Sequence, residues 1–148
     1  MSVSVIYATE TGTTEGVANI AKGLLTKAGL KVTLSPADSA TPEMFQQSFI
    51  YLTSTYNDGE HPAVALIADE FFAAQNSFVS VIKGQKFAVF GLGSTSFENF
   101  NAASQMAEEC FAKAGGIKIQ DTIKCDTDGG DDPEAMVVGF VNNFTAKI

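Results

Sequence analysis

The sequence has few of the residues that carry metal, disulfide or hydrolytic chemistry. It contains two cysteines, one histidine and no tryptophan. Two scattered thiols without a CxxC pair do not make a disulfide framework or a metal site. Cys110 lies in an apolar helical pattern and is expected to be buried, whereas Cys125 can be partly exposed. No Ser-His-Asp set, metal cluster or evident nucleophile is present, so the residues favour no hydrolytic or metal-dependent reaction.

Basic residues are also scarce. Nine lysines and arginines stand against 17 aspartates and glutamates, which gives a formal net charge of −8. Nucleic acids and anionic membrane surfaces both need a basic face, so neither is an expected partner. An acidic surface instead suits a partner protein with a basic face, because opposite charges speed the encounter.

Long apolar runs are missing as well. No stretch approaches the roughly 20 apolar residues of a membrane span. The N-terminal residues Met1–Tyr7 enter a strand pattern without the basic and apolar regions of a signal peptide. A chain of 148 residues that is 45% hydrophobic can bury one core. We therefore expect a single domain spanning residues 1–148, monomeric and cytoplasmic.

Short apolar segments rich in β-branched and aromatic residues alternate with longer helical patterns. The predicted helices are Thr13–Ala28, Ala63–Gln75, Phe100–Ala114 and a last helix that begins at Pro133, and the predicted strands are Val3–Ala8, Lys31–Ser35, Phe49–Ser54, Lys86–Gly91 and Ile117–Lys124. Gly29 is placed to end the first helix. This alternation predicts an α/β fold with a doubly wound, five-stranded parallel sheet and helices on both faces.

The first loop of interest joins the first strand to the first helix. In such sheets a ligand binds beyond the carboxyl ends of the strands, where the strand order reverses. Residues Thr9–Thr14 offer four hydroxyls and a glycine at a helix N-terminus, an arrangement that suits an anion. The loop has no lysine or arginine, and the GxxxxGK[ST] pattern of nucleotide triphosphatases is absent. Simple helix capping by the threonines is the alternative.

The loops after the third and fourth strands add aromatic residues. Tyr56 follows the third strand, and Phe97 and Phe100 follow the fourth, where two glycines allow close backbone approach. Phe100 is expected to belong to the core. The three loops together indicate a planar ring system with a phosphate tail.

The segments TETGTTE, STYNDGEHP and FGLGSTSFENFN, in this order, resemble the flavodoxin family. The resemblance covers nearly the whole chain and is strongest to short-chain, MioC-type stand-alone members and to the FMN domains of diflavin reductases. It implies a flavodoxin-like sheet of strand order 2-1-3-4-5 with FMN at the point where the order reverses. No long insertion divides the fifth strand, which is typical of the short-chain type.

The resemblance also implies a set of cofactor-binding residues. Around the FMN phosphate these are Thr9, Glu10, Thr11, Gly12, Thr13 and Thr14. Tyr56 and Phe97 would sandwich the flavin ring. Backbone groups that would contact the ring and ribityl chain are those of Ser54, Thr55, Asn57, Leu92 and Gly93, with Ser94 and Asn101 as further neighbours. The candidate set is completed by Asp58, Gly59 and Phe100.

Three positions depart from the common family pattern. Ser94 replaces an acidic residue, Phe97 a tyrosine, and Asn57 a frequent glycine. A protein that keeps the fold but binds FMN weakly is therefore an alternative. Acidic residues near the ring, among them Asp58 and Asp126, would oppose the negative charge of reduced flavin unless they are only solvated turn residues.

The implied function is electron transfer between a flavodoxin or ferredoxin reductase-like donor and an unidentified acceptor protein. The flavin supplies the redox chemistry, and the protein supplies binding and electrostatics. An FMN-dependent NAD(P)H or quinone oxidoreductase on the same fold is the alternative, although the sequence has no GxGxxG segment. A phosphorylated receiver domain is disfavoured, because Ala8-Thr9 and Ser54-Thr55 stand where it needs acids.

Overall fold

The chain folds around one parallel β-sheet. The computed structural model describes residues 2–8, 13–36, 44, 46–54, 84–93, 108–109, 111–112, 115–126, 130 and 132–148. Its strands are β1 (Ser2–Ala8), β2 (Lys31–Pro36), β3 (Ser48–Ser54), β4 (Lys86–Gly93), β5 (Ile117–Lys118) and β6 (Ile123–Asp126). Its longer helices are α1 (Thr13–Lys27) and α2 (Pro133–Lys147).

All pairs of neighbouring strands are parallel, and their order is β2-β1-β3-β4-β5, with β6 also paired to β4. The central strands are buried on both faces, which explains why β1, β3 and β4 read as nearly continuous apolar runs. The predicted fold class and strand order are confirmed.

The fifth strand position differs from the prediction of one strand over Ile117–Lys124. Ile117 lies opposite Lys86, but Ile123 lies opposite Phe90, so the chain takes two extra residues between β5 and β6. This excursion, residues 119–122, leaves the line of the sheet and divides the predicted strand. Such local irregularity is common at sheet edges because it interrupts a continuous row of free hydrogen-bonding groups.

The first helix ends where the sequence predicts. Gly29 has a φ of 90°, and its N–H donates to the Thr26 carbonyl. The Leu30 N–H reaches back to the Leu25 carbonyl, and both leucines contact the core. This is the hydrogen-bond pattern of a helix closed by a left-handed glycine.

The last helix is capped at its start by Asp132. The Asp132 carboxylate accepts a hydrogen bond of 3.1 Å from the Glu134 N–H, and Pro133 occupies the first turn, where its missing N–H costs nothing. The apolar side of this helix faces the core: Val137, Phe140, Val141 and Phe144 are buried, and Met136 is half-buried.

The sheet has a core on each face. On one face α1 and α2 pack side by side over the sheet, burying Val5, Leu52, Phe90 and Leu25 among others. On the other face lies an aromatic cluster whose rings stack or meet edge to face at centroid distances of 5.0 to 5.6 Å, formed by Phe49, Tyr51, Phe87 and Phe111.

The described part of the third predicted helix, Phe100–Ala114, lies on this second face. Residues 108, 109, 111 and 112 are helical, and Gly115 and Gly116 donate to the Ala112 and Phe111 carbonyls after it, as predicted for the end of this helix. Glu108 forms an ion pair with Lys118 of β5. Partial burial of Glu108 acts to raise its pKa, but hydrogen bonds from Lys118 and Thr122 and the positive charges of Lys118 and Lys124 together outweigh it. The pKa of Glu108 therefore lies below its usual value. The hydrogen bond with Glu108 raises the pKa of Lys118.

Candidate functional site

The carboxyl ends of β1, β3 and β4 meet at one edge of the sheet. β1 pairs with β2 on one side and with β3 on the other, so the chain connections diverge between β1 and β3. Ala8, the last residue of β1, lies opposite Thr53 near the end of β3. This edge is where the strand order reverses, the place at which doubly wound sheets bind their ligands.

The N-terminus of α1 opens onto the same edge. α1 begins at Thr13, so the predicted phosphate-loop residues Thr13 and Thr14 form the start of its first turn. The amides of a first helical turn have no partner within the helix and attract an anion. No basic residue occurs in α1 before Lys22, so an anion here is held by amides and the helix dipole rather than by a nearby cation of this helix.

The ends of β3 and β4 form the neighbouring part of this edge. Ser54 lies opposite Leu92, and β4 continues to Gly93, two residues beyond the end predicted for it. The Leu92 side chain is only 3% exposed and Thr53 only 1%, because both belong to the packed interior of the sheet. The Leu92 side chain is therefore not available to a ligand, and the backbone contact expected for Leu92 stays a prediction.

Two residues of β6 join the same edge. Cys125 lies opposite Leu92 and Asp126 opposite Gly93. Cys125 is fully buried, so the expectation that it is partly exposed was wrong; it packs in the core beneath the helices. Asp126, interpreted from the sequence either as an acid near the flavin or as a solvated turn residue, is half-buried at the end of β6.

The other candidates fall outside the described residues. These are Thr9, Glu10, Thr11 and Gly12 of the first loop, Thr55, Tyr56, Asn57, Asp58 and Gly59 of the second, and Ser94, Phe97, Phe100 and Asn101 of the third. Cys110 and the helix predicted over Ala63–Gln75 also lie there. The structure thus brings together the strand and helix ends from which all three loops start and leaves the loop contacts as predictions.

A parallel sheet whose strand order reverses beside a helix N-terminus, here one with no basic residue in its first two turns, is typical of doubly wound mononucleotide-binding proteins. The flavodoxin family model matches residues 5–139, and the chain belongs to the flavodoxin family. FMN is accordingly its cofactor. The described part of the edge fits this group, since the free amides at the start of α1 could hold its phosphate.

Two relatives differ in how much of their own length this chain covers. The chain is 29% identical over 135 residues to the sulfite reductase [NADPH] flavoprotein alpha-component of Bacillus subtilis, covering 90% of this chain but 22% of that protein. It is 26% identical over 145 residues to the MioC homolog of Haemophilus influenzae, covering 97% of both chains. The chain thus spans about a fifth of the first relative and nearly all of the second.

A solved structure agrees over the full length. The flavodoxin of Streptococcus pneumonia TIGR4 superposes with a TM-score of 0.84 at 25% identity and covers 100% of both chains. Within the described residues, neither α1 nor α2 has the length and hydropathy that a membrane-crossing helix requires.

Proposed function

We propose that this protein carries electrons through FMN between a reductase and one or more acceptor proteins. The observation that supports this most directly is the edge at which the ends of β1, β3 and β4 meet the cation-free N-terminus of α1. FMN supplies the electron chemistry when bound. The chain supplies a phosphate site, a surface beside the ring and the surrounding charge.

The proposed contacts follow the three loops that leave this edge. Backbone amides at the start of α1, with Thr9, Glu10, Thr11 and Gly12 before them, hold the phosphate. Tyr56 and Phe97 enclose the ring, because aromatic side chains stack on flat ligands. Ser54, Leu92 and Gly93, at the strand ends, bring backbone groups to the ring and ribityl chain.

A carrier role fits the size and charge of the chain. Its net charge of −8 favours encounter with a basic-faced donor or acceptor. The match to the sulfite reductase flavoprotein covers only 22% of that protein, and the MioC homolog matches end to end. We therefore expect the FMN-bearing domain to receive its electrons from a reductase rather than directly from a nicotinamide.

The test is anaerobic reduction of the FMN-loaded protein followed by its visible spectrum. We expect NADPH alone to leave the flavin oxidised for many minutes. Adding a catalytic amount of an NADPH-dependent flavoprotein reductase should bleach it, and reduced protein should then reduce cytochrome c. Rapid bleaching by NADPH without the reductase would instead establish the alternative, an FMN-dependent NAD(P)H or quinone oxidoreductase.

A further inference from the structure

A groove lies at the outer edge of the sheet, between α2 and the excursion that divides the fifth strand. Its volume is about 420 Å³, within the range of pockets that hold small molecules. None of its lining residues belongs to the candidate FMN edge. The groove is therefore a separate feature that the proposed electron transfer does not use.

One wall of the groove is a stripe of α2. Met136, Gly139, Asn143 and Lys147 recur at intervals of three or four residues and thus share one side of the helix. The stripe runs over 11 residues, about 16 Å at the rise of an α-helix. Gly139 has no side chain and leaves open space along this wall, since a Cβ added there would meet no atom within 4 Å.

The groove combines apolar surface with polar groups of different kinds. Ile123 and Met136 are half-buried and offer apolar contact. Lys147 brings a positive charge at one end of the helical stripe, and Asp121 a negative charge on the excursion. An occupant needs an apolar part, an anionic group for the lysine and a hydrogen-bond donor near the excursion.

Gln120 identifies where that donor is needed. Its Nε2 donates a hydrogen bond of 3.1 Å to the Phe140 carbonyl, which fixes the orientation of the amide. Its Oε1 is buried and has no hydrogen-bond partner among the residues that the structure describes. A buried acceptor without a donor costs free energy, and a ligand that supplies the donor recovers it.

The excursion around Gln120 can adjust to admit such a ligand. It contains two residues more than the facing part of β4. Within the described part of the chain, the Thr122 Oγ1 of this excursion is buried without a hydrogen bond of normal geometry, although it lies near enough to Glu108 to favour the ionised carboxylate. A segment with unmet hydrogen bonds beside an open space is among the parts of a fold that open most easily.

We propose that this groove binds an N-acylated amino acid, either free or as the carboxyl-terminal residue of a peptide. The ligand N–H donates to Gln120 Oε1, its carboxylate accepts from Lys147 Nζ, and its apolar side chain covers Ile123 and Met136. The helical rise separates Phe140, the anchor of Gln120, from Lys147 by about 10 Å. The ligand and the flexible Lys147 side chain together span this separation.

The experiment is a titration of the FMN-loaded, ¹⁵N-labelled protein with N-acetylleucine, followed by amide chemical shifts. We expect saturable shifts centred on Gln120, Ile123, Gly139 and Asn143, with slowed amide exchange in the excursion. N-acetylleucinamide, which lacks the carboxylate, should bind about tenfold more weakly, because a charge-assisted hydrogen bond is lost. Lys147→Gln should weaken binding of the acid to the level of the amide.

Two variants separate a real site from surface association. Gly139→Leu fills the groove and should abolish binding, whereas Gly23→Leu, on the exposed side of α1 where an added Cβ also meets no atom within 4 Å, should leave it unchanged. N-acetyl-N-methylleucine, which has no N–H, should also fail to bind. Absence of saturable shifts, or equal affinity of the acid and the amide, would overturn the proposal while leaving FMN binding unaffected.

Titration with a pentapeptide ending in leucine distinguishes the two sources of the ligand, a protein carboxyl terminus and a free acylated amino acid. The stripe of about 16 Å can contact about five extended residues. Tighter binding of the pentapeptide than of N-acetylleucine supports recognition of a protein carboxyl terminus. Equal affinity supports a free acylated amino acid.

Discussion

Gly93 and Asp126 lie opposite each other at the ends of the parallel strands β4 and β6. The pairing puts a carboxylate one strand away from the start of the third loop, where the common family pattern has an acid and this chain has Ser94. Full reduction of FMN adds negative charge to the ring system, and a nearby carboxylate opposes it. Asp126→Asn should therefore raise the potential of the second one-electron reduction, by on the order of tens of millivolts.

The measurement is a potentiometric titration of the FMN-loaded variant. Asp121→Asn is the matched control, since it removes the same charge from the exposed excursion, away from the carboxyl ends of the strands. Lys124→Gln removes a positive charge from β6 and should lower the potential. Equal effects of the Asp126 and Asp121 substitutions would show that net charge, and not the position of Asp126, sets the potential.

Replacing Gly29 or Gly23 by alanine should change the free energy of unfolding in opposite directions. At Gly29 a φ of 90° disfavours any residue with a Cβ, so Gly29→Ala should lower the free energy of unfolding by about 1 kcal/mol. Gly23 lies inside α1 on its exposed side, where alanine is preferred, so Gly23→Ala should raise it by about 1 kcal/mol. Urea denaturation of both apoproteins measures the difference.

An added Cβ meets no atom within 4 Å at either glycine, so backbone conformation alone separates the two variants. Destabilisation by both substitutions would mean that α1 does not continue regularly through Gly23. A neutral Gly29→Ala would mean that the turn after α1 does not require the left-handed conformation.

The Glu108–Lys118 ion pair predicts a pH dependence of stability. The lowered pKa of Glu108 means that its contribution is complete above about pH 4.5 and is lost as the pH falls through the folded-state value. The raised pKa of Lys118 means that the contribution persists up to about pH 10.5 and is lost at higher pH. Because Lys118 remains 38% exposed, the pair should contribute no more than about 1 kcal/mol.

The test is denaturation of Glu108→Gln, Lys118→Gln and the double variant at pH 7 and pH 3. At pH 7 each single substitution should cost nearly as much as both together, since each removes the same interaction. At pH 3 the coupling between the two positions should be smaller than at pH 7, because part of the Glu108 carboxylate is then protonated. Additive effects at pH 7 would show that the ion pair contributes nothing in solution.

The fold could be predicted because its local signals agree with one another. Continuous apolar strands such as β3 indicated burial on both faces, and Gly29 and Pro133 marked helix ends by their backbone chemistry. The division of the fifth strand was not predicted, because Ile117, Ile119 and Ile123 all fall on one face of a single strand, and Asp121 alone interrupts that pattern. Only the register against β4 reveals the two extra residues.

The position of the candidate site in the sheet could be predicted from the sequence, but the contacts of its individual residues could not. The order of the three loops and the lack of a basic residue before α1 predicted which edge of the sheet forms the site. Both can be read directly from the sequence. The burial of Cys125 depends on α2 crossing over β6, a tertiary contact that no local pattern contains. The same holds for the pairing of Asp126 with Gly93, which joins residues 33 positions apart.

The central claim is that the edge formed by β1, β3 and the start of α1 binds FMN. Titration of the apoprotein with FMN, followed by quenching of flavin fluorescence, tests it most directly. We predict saturation at one FMN per chain, with riboflavin binding much more weakly because it lacks the phosphate that the start of α1 would hold. A folded apoprotein that leaves FMN fluorescence unchanged, or that binds riboflavin and FMN alike, would contradict the claim.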